Sequence, residues 1–394
     1  MHVALVMERI ETWRGGAETS TLQFVHHLVA LGCRVSIVTT SYGPSTPFYT
    51  IVPIRANRWL RAVRTWLFAR RAAAYVRRRK FDIVHGITPC MAADVYQPRG
   101  GTVPETLARN LALRPRGCRG LKLLGQKSSL KYWVVGGLER RLLTRRPPPM
   151  VIAISQYVRE QLARDYGLDS ASVRLIFNGV DPDSVAPDQR REDRWRIRRQ
   201  YHLADDDVLL LFVANNFKLK GAGRLLEALA KLHKNDAGGR FGSVRTLLAG
   251  RGDPAGYIAQ AERLGLKDSV IFAGPTQRIH AFYHAADVLV HPTYYDPCSR
   301  VVLEAMSAGL PVITTRFNGA AERIREGQEG YVIDSPDDTD ALAERVGRLV
   351  DAEHRQACAA RAVLAVEDCT MRRHAEQVVA LYEEIIRSRK ARYG

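Results

Sequence analysis

Two acidic residues, Asp296 and Glu304, lie eight positions apart in the run His291-Pro292-Thr293-Tyr294-Tyr295-Asp296-Pro297-Cys298-Ser299-Arg300-Val301-Val302-Leu303-Glu304. The run continues through Gly309 to Ile313 and reads as strand, loop, short helix and strand. At about 100° per residue, eight residues leave roughly 80° between the two side chains, so the spacing predicts one carboxylate at the helix mouth and one two turns in, lining one pocket. Glu304 interrupts an apolar stretch, which is costly unless its carboxylate is hydrogen-bonded. A pair of sugar hydroxyls would satisfy it. A second element places Lys218 and Lys220 ahead of Gly221, between an apolar run at 208–213 and an amphipathic stretch at 225–232. Ammonium groups at the C-terminal edge of a strand suit a diphosphate, although lysines in loops also serve simply to solvate them. A third, Gly15-Gly16-Ala17-Glu18, follows a strand and opens a helix, where free backbone amides and the positive end of the dipole favour an anion. The same residues also read as a plain glycine turn into a helix.

The elements that must hold these groups alternate. Short β-branched or apolar runs at 3–7, 35–39, 82–85, 151–154, 208–213, 246–249, 270–272, 288–290 and 312–314 are separated by amphipathic stretches. That alternation predicts parallel sheets covered on both faces, and so many strands predict two Rossmann-like domains rather than one sheet. The first helix carries Leu22, Val25, Leu28 and Val29 at helical spacing and closes at Gly32. Residues 165–170 and the turn Asn178-Gly179-Val180-Asp181-Pro182 predict a boundary near 170. The expected domains are 1–170 and 171–371. A charged helix at 190–200 leads into the second, and a closing helix at about 372–394 packs back on the first.

Charge separates the two halves. The chain has 394 residues, 59 basic and 41 acidic, for a net +18. Up to Met150 there are 25 basic and 7 acidic residues, and beyond it 34 of each, so the entire excess lies in the N-terminal part. A hydrophobic content of 46% excludes wholesale disorder. Six scattered cysteines without a CxxC pair argue against a disulfide framework or a zinc site and predict a reducing compartment. The opening MHVALVMERI has no basic segment ahead of its short apolar run, unlike a signal peptide. Residues 55–80 hold ten Lys or Arg and no acid, with Trp59, Leu60, Val63, Trp66 and Leu67 at helical spacing. This predicts a crossover helix that buries the tryptophan stripe, with a basic lipid-facing surface as the alternative. Residues 109–146 hold eleven basic residues against Glu139 alone. Such charge also raises a nucleic-acid-binding protein as a reading of another class, but the recognisable reader motifs are missing and no nucleic acid is expected.

Taken together, these motifs resemble the retaining glycosyltransferases of family 4. The matching features run from Gly15-Gly16 through Asn178-Gly179-Val180-Asp181, Lys220-Gly221, Leu248-Ala249-Gly250 and Phe272-Ala273-Gly274 to Glu304-Ala305-Met306 and Asn318-Gly319. The resemblance implies the α/β GT-B fold, two facing Rossmann-like doubly wound domains with an interdomain cleft. It makes Glu304 the ribose-binding glutamate, Asp296 the acid facing the donor sugar and Lys220 the cation on the donor diphosphate. Lys218 stands in for an arginine that the family usually carries ahead of the lysine. It further implies donor contacts from Gly15, Gly16, Gly250, Arg251, Gly274, Cys298, Ser299, Arg300 and Val301, and a role for His85 near the transferred sugar. Where the family has Glu and an apolar run, this chain has Asp296 and the cation Arg300.

The finer resemblance is to the bacterial lipopolysaccharide core glucosyltransferases. It implies a UDP-sugar donor, an anionic lipid-linked acceptor, a peripheral place on the inner face of the cytoplasmic membrane, and no metal or other cofactor. Asp94, Arg116, Arg119, Lys122 and Lys127 are the expected acceptor or membrane contacts. A phosphorylase or a transferase with a soluble acceptor is the alternative within the fold.

Overall fold

The computed structural model describes the whole chain except residues 11–15, 42–45, 57–60, 114–128, 235, 237, 238, 240 and 394. It divides into two compact units, Met1–Gly179 with Met371–Gly394, and Val180–Thr370. The division falls at Gly179 rather than at 170, because the stretch between them still supplies an edge strand of the first sheet.

In the first unit seven parallel strands are β1 (His2–Val6), β2 (Arg34–Thr39), β3 (Tyr49–Pro53), β4 (Ile83–Gly86), β5 (Val95–Tyr96), β6 (Met150–Ala153) and β7 (Val173–Leu175), ordered β3-β2-β1-β4-β5-β6-β7. In the second, six parallel strands are β8 (Val208–Val213), β9 (Val244–Ala249), β10 (Val270–Gly274), β11 (Val288–His291), β12 (Val312–Thr315) and β13 (Gly330–Ile333), ordered β10-β9-β8-β11-β12-β13. The buried strands are continuous apolar runs, as strands covered on both faces must be. Four strands are additional to those expected from sequence. β3 and β7 are part-exposed sheet edges, β5 has only two residues, and β13, though mostly buried, has only three apolar residues behind a glycine, so none shows a long apolar run.

Helix Gly16–Ala30 covers the first sheet with Phe24, Val25 and Leu28 and ends ahead of Gly32 at φ +79°, the left-handed conformation that stops a helix. Against it packs the last helix, Met371–Tyr393, which buries Met371, Ala375, Val378, Leu381 and Tyr382 in the same core. It is a core element of the first unit. The expectation for helix Arg61–Arg78 is overturned. Its buried face is Ala62, Thr65, Phe68, Ala69, Ala72, Ala73 and Val76, and Trp66 points outward, 39% exposed, under the Arg70 guanidinium. Small side chains let the helix lie close on its neighbours, which the bulky tryptophan stripe would not. Trp59 and Leu60 lie outside the described residues.

One buried polar network in the second unit ties the elements that carry the site. His284, on helix Ile279–Ala285, sets Nδ1 3.0 Å from Asp193 and Nε2 2.9 Å from Asp183. Arg190 and Arg196 pair with the same two acids, and the Asp183 amide donates to Ser307 Oγ at the end of helix Arg300–Ser307. Replacing His284 with alanine takes one hydrogen bond from each of two carboxylates that keep Arg190 and Arg196 as partners, a class of change that costs about 1–3 kcal/mol. Urea unfolding should show the midpoint fall by a corresponding amount with an unchanged slope.

Candidate functional site

Parallel sheets take ligands beyond the carboxyl ends of their strands, at the point where the strand order reverses. In the second unit that point lies between β8 and β11, neighbours in the sheet. Lys220 follows the first and Asp296 the second, and they meet there. Lys220 Nζ donates to Asp296 Oδ2 at 2.6 Å and to the Tyr295 carbonyl at 3.0 Å.

Local chemistry brings the two loops together. Asn216 caps the turn after β8, its side-chain oxygen accepting from the Leu219 amide at 3.0 Å. Gly221 follows at φ +82°, where an added Cβ would stand 2.1 Å from the Pro292 carbonyl oxygen, so only glycine lets the β8 loop lie against the β11 loop. The Tyr294 amide then donates to the Leu219 carbonyl at 2.9 Å. Lys218, in the same turn, is exposed.

Asp296 is not on the helix. The helix begins at Arg300, and Asp296 instead forms an isolated bridge with Asn318, its amide donating to Phe317 and its carbonyl accepting from Gly319. Counting 100° per residue from Asp296 to Glu304 therefore does not apply, because 296–299 are not helical. Burial works to raise the Asp296 carboxyl, but the Lys220 ammonium and the His291 ring outweigh it and hold it well below the usual carboxylate range. Lys220 is the closer partner, since His291 Nε2 is 3.8 Å from Asp296, beyond hydrogen-bond reach.

Glu304 is held from both sides: Oε2 accepts from the Tyr283 hydroxyl at 3.0 Å and Oε1 from Arg300 Nη2 at 2.9 Å. Arg300 spends one arm on this contact and keeps Nη1 buried without a hydrogen-bond partner. The start of the helix is fixed by Asn318, whose Oδ1 accepts from the Ser299 and Ala320 amides at 3.0 Å each while Nδ2 donates to Thr314. The amides of Arg300 and Val301 precede the first intrahelical donor, Leu303, and so face outward along the helix axis. Cys298 and Ser299 are buried and Val301 is half-buried.

Gly250 ends β9 at φ +135°, its amide donating to the Gly274 carbonyl at 2.8 Å. A Cβ on it would stand 1.7 Å from the Ala214 carbonyl oxygen, so this loop too is pressed onto the one after β8. Arg251 is exposed beside it, and Gly274 has φ +70° at the end of β10. Tyr283 and the roles of His291 and Asn318 were not legible as site chemistry in the sequence. Tyr283 sits in an ordinary apolar helix, and its hydroxyl gains meaning only from the neighbouring Glu304.

The first unit corrects two expectations. His85 is fully buried on β4, its Nδ1 hydrogen-bonded to the Tyr382 hydroxyl at 2.5 Å, and burial with nearby Arg99 and His374 pushes it well below the usual histidine range. It is a neutral core histidine rather than a group facing a sugar. Asp94 receives the Val84 amide at 2.8 Å and pairs with Arg389. It lies at the amino edge of β5, away from the carboxyl ends of the strands, and holds the sheet to the last helix. Gly16 is the first residue of its helix. Gly15, Arg116, Arg119, Lys122 and Lys127 lie outside the described residues. Among the described residues no three His, Cys, Asp or Glu side chains are grouped to hold a metal ion, and no helix is long and apolar enough to cross a membrane.

The depressed carboxyl of Asp296 has a pH consequence. Its pairing contributes stability above its unfolded value near 3.8 and loses it only as pH falls through the lower folded value. Lys220→Met should move the acid unfolding midpoint to higher pH, and Lys220→Met with Asp296→Asn should return most of the shift. Circular dichroism across an acid titration reads both.

Residues 14–184 match the family described as Glycosyltransferase Family 4, and residues 193–363 the one described as Glycosyl transferases group 1. The chain is 25% identical over 335 residues to the lipopolysaccharide glucosyltransferase WaaG of Escherichia coli, covering 84% of each. It is 32% identical over 214 residues to D-inositol 3-phosphate glycosyltransferase 2 of Catenulispora acidiphila, 52% of this chain and 49% of that one. The chain spans about half the length of several curated relatives it matches. A crystal structure of WaaG superposes with a TM-score of 0.81 at 22% identity over 96% of this chain and 99% of that one. Anabaena HepE in complex with UDP-glucose gives 0.70 at 19% over 98% and 100%. With its two parallel Rossmann-like sheets and a matching domain in each unit, the chain belongs to the family 4 glycosyltransferases of the GT-B fold.

Proposed function

We propose that the protein is a retaining glycosyltransferase that moves a hexose from a UDP-sugar to an anionic lipid-linked acceptor of the lipopolysaccharide core kind, on the inner face of the cytoplasmic membrane. The observation that carries the transferase reading is the Lys220–Asp296 pair at the strand-order reversal, beside a helix start that presents amides and the Arg300–Glu304 pair. Retention comes from the family resemblance, and the UDP-sugar is supported by HepE, the same fold in complex with UDP-glucose. WaaG, similar over most of its length, is a lipopolysaccharide glucosyltransferase, which supports the acceptor class.

In this reading Glu304 accepts from the ribose hydroxyls, and Arg300 turns its unmet Nη1 toward a phosphate oxygen. Lys220 exchanges Asp296 for the diphosphate, leaving Asp296 to face the sugar. As the bond to the sugar breaks, negative charge grows on the departing oxygen, and fixed cations and helix amides stabilise it without reorganising. Lys218 adds a second, more exposed cation. No metal is required to neutralise the leaving group.

Two features of the first unit support the membrane side. On helix Arg61–Arg78, Trp66 and Arg70 are exposed one turn apart, and Arg77 falls on the same face. Helix Leu130–Leu143 packs against this one and exposes Leu130, Lys131 and Trp133. Each exposed cation near an anionic leaflet contributes about 1 kcal/mol, and interfacial tryptophans add to it.

Calorimetry should show UDP binding weakened by Glu304→Gln, about tenfold or more if a charge-assisted hydrogen bond is lost. Unchanged affinity would remove the ribose assignment. Lys220→Ala should lower kcat about a hundredfold with less effect on donor affinity, and EDTA should leave turnover unaltered. The protein should float with vesicles containing anionic lipid and be released by high salt. Reversing charge at Arg70, Arg77 and Lys131 should abolish flotation while sparing donor hydrolysis. Equal binding to neutral vesicles, or none to either, points to a soluble acceptor.

A further inference from the structure

Helix Leu130–Leu143 contains two adjacent glycines, Gly136 and Gly137, in its middle. Each costs about 1 kcal/mol relative to alanine in a helix interior. The protein's own packing does not demand them: a Cβ on Gly136 would make ordinary contact with Val103 at 3.6 Å, and one on Gly137 would meet nothing within 4 Å. The room they leave is part of a cavity of about 330 Å³ between this helix and helix Val103–Ala112, within the size range of small-molecule pockets. Its walls are apolar, with Val103, Pro104, Leu107 and Trp133 among them, and Tyr166 beside the glycines. Trp133 is 69% exposed and Leu130 57%, an apolar lip open to solvent.

The polar groups behind the cavity are already satisfied. Glu139 is fully buried and accepts from the Tyr96 hydroxyl and the Val103 amide at 2.8 Å each, and from the Tyr166 hydroxyl. A ligand would therefore find hydrocarbon on the walls and no unmet acceptor at the back. The mouth is cationic. Arg140 lines it, and Lys131 and Arg141 are exposed on the same helix.

We propose that this cavity takes the acyl chain of an anionic membrane phospholipid, the glycine pair making space for hydrocarbon and the cations holding the headgroup phosphate at the mouth. An apolar slot with a positive rim matches a molecule with an apolar chain and a negative head, and the cost of two mid-helix glycines has a use only when something fills the space. The proposal deepens the membrane reading of this face and fails separately from it.

Dodecyl phosphate is the probe, with dodecyl maltoside and inorganic phosphate as the uncharged and chainless controls. The protein should bind dodecyl phosphate at least tenfold more tightly than either control by calorimetry. Gly137→Leu, which fills the slot, should lose that binding at least tenfold with a melting temperature no lower than wild type. Gly137→Ala should keep most of the binding and shows that the helix tolerates a side chain there. Quenching of tryptophan fluorescence by vesicles of brominated phosphatidylglycerol should fall in Trp133→Phe and in Gly137→Leu. Equal binding of dodecyl phosphate and dodecyl maltoside, or binding indifferent to Gly137→Leu, overturns the proposal. Flotation on anionic vesicles with no loss of quenching in Gly137→Leu also overturns it while leaving the membrane reading intact. Specific dodecyl phosphate binding without flotation supports the cavity and removes the membrane reading.

Discussion

The site depends on one contact, the ion pair between Lys220 and Asp296 across the β8–β11 boundary. Neither residue belongs to a regular element, and each sits on a loop whose direction is set by the strand it leaves. Their meeting requires the β8 loop to touch the β11 loop, and the touch is possible because Gly221 has no side chain where Pro292 passes. A buried lysine and carboxylate are expensive singly and tolerable as a pair. The pair therefore keeps both loops in register and holds a cation and an anion at the place where a diphosphate and a sugar would exchange them.

Around that pair the second unit is built in layers of support. Asn318 holds the helix start, Tyr283 and Arg300 hold Glu304, and the Asp183–His284–Asp193 network fixes the helix that carries Tyr283. Lys220, Asp296, Arg300 and Glu304 are thus all paired in the free protein, and the buried Nη1 of Arg300 is left without a hydrogen-bond partner. Side chains held this way are already ordered, so a ligand that replaced one of these partners would not have to order loose side chains.

The first unit uses buried polar groups differently. His85, His374 and Tyr382 lie in a core shared with Phe24, and burial pushes His374 down to about 3, with Arg99 adding to the effect. Both are neutral packing groups: His85 joins its strand to Tyr382 on the last helix, and His374, on that helix, meets the Phe177 carbonyl and the Gln97 side chain. What this unit presents outward is charge and aromatic surface, on helix Arg61–Arg78 and at the cavity beside Gly136 and Gly137. The net charge of the chain, confined to its first part, therefore lies outside the unit that holds the Lys220–Asp296 pair.

The sequence by itself determined the alternation of strands and helices and the two-sheet architecture, and it singled out Lys220, Asp296 and Glu304 as charged groups beside buried strands. Those follow from local rules: buried parallel strands must be apolar throughout, and charged residues beside such strands are costly unless paired. The edge strands β3 and β7 escaped because part-exposed strands need no such run, and β13 because its apolar part is only three residues long. Only the tertiary structure decided which groups meet. It took Asp296 off the helix and gave it to Lys220, 76 residues away in the chain, and it turned Trp66 outward and Ala69 and Ala72 inward. It also withdrew His85 and Asp94 into structural roles. Periodicity reports which face a residue lies on, but not which distant element covers that face, and that second fact separates a core histidine from a catalytic one.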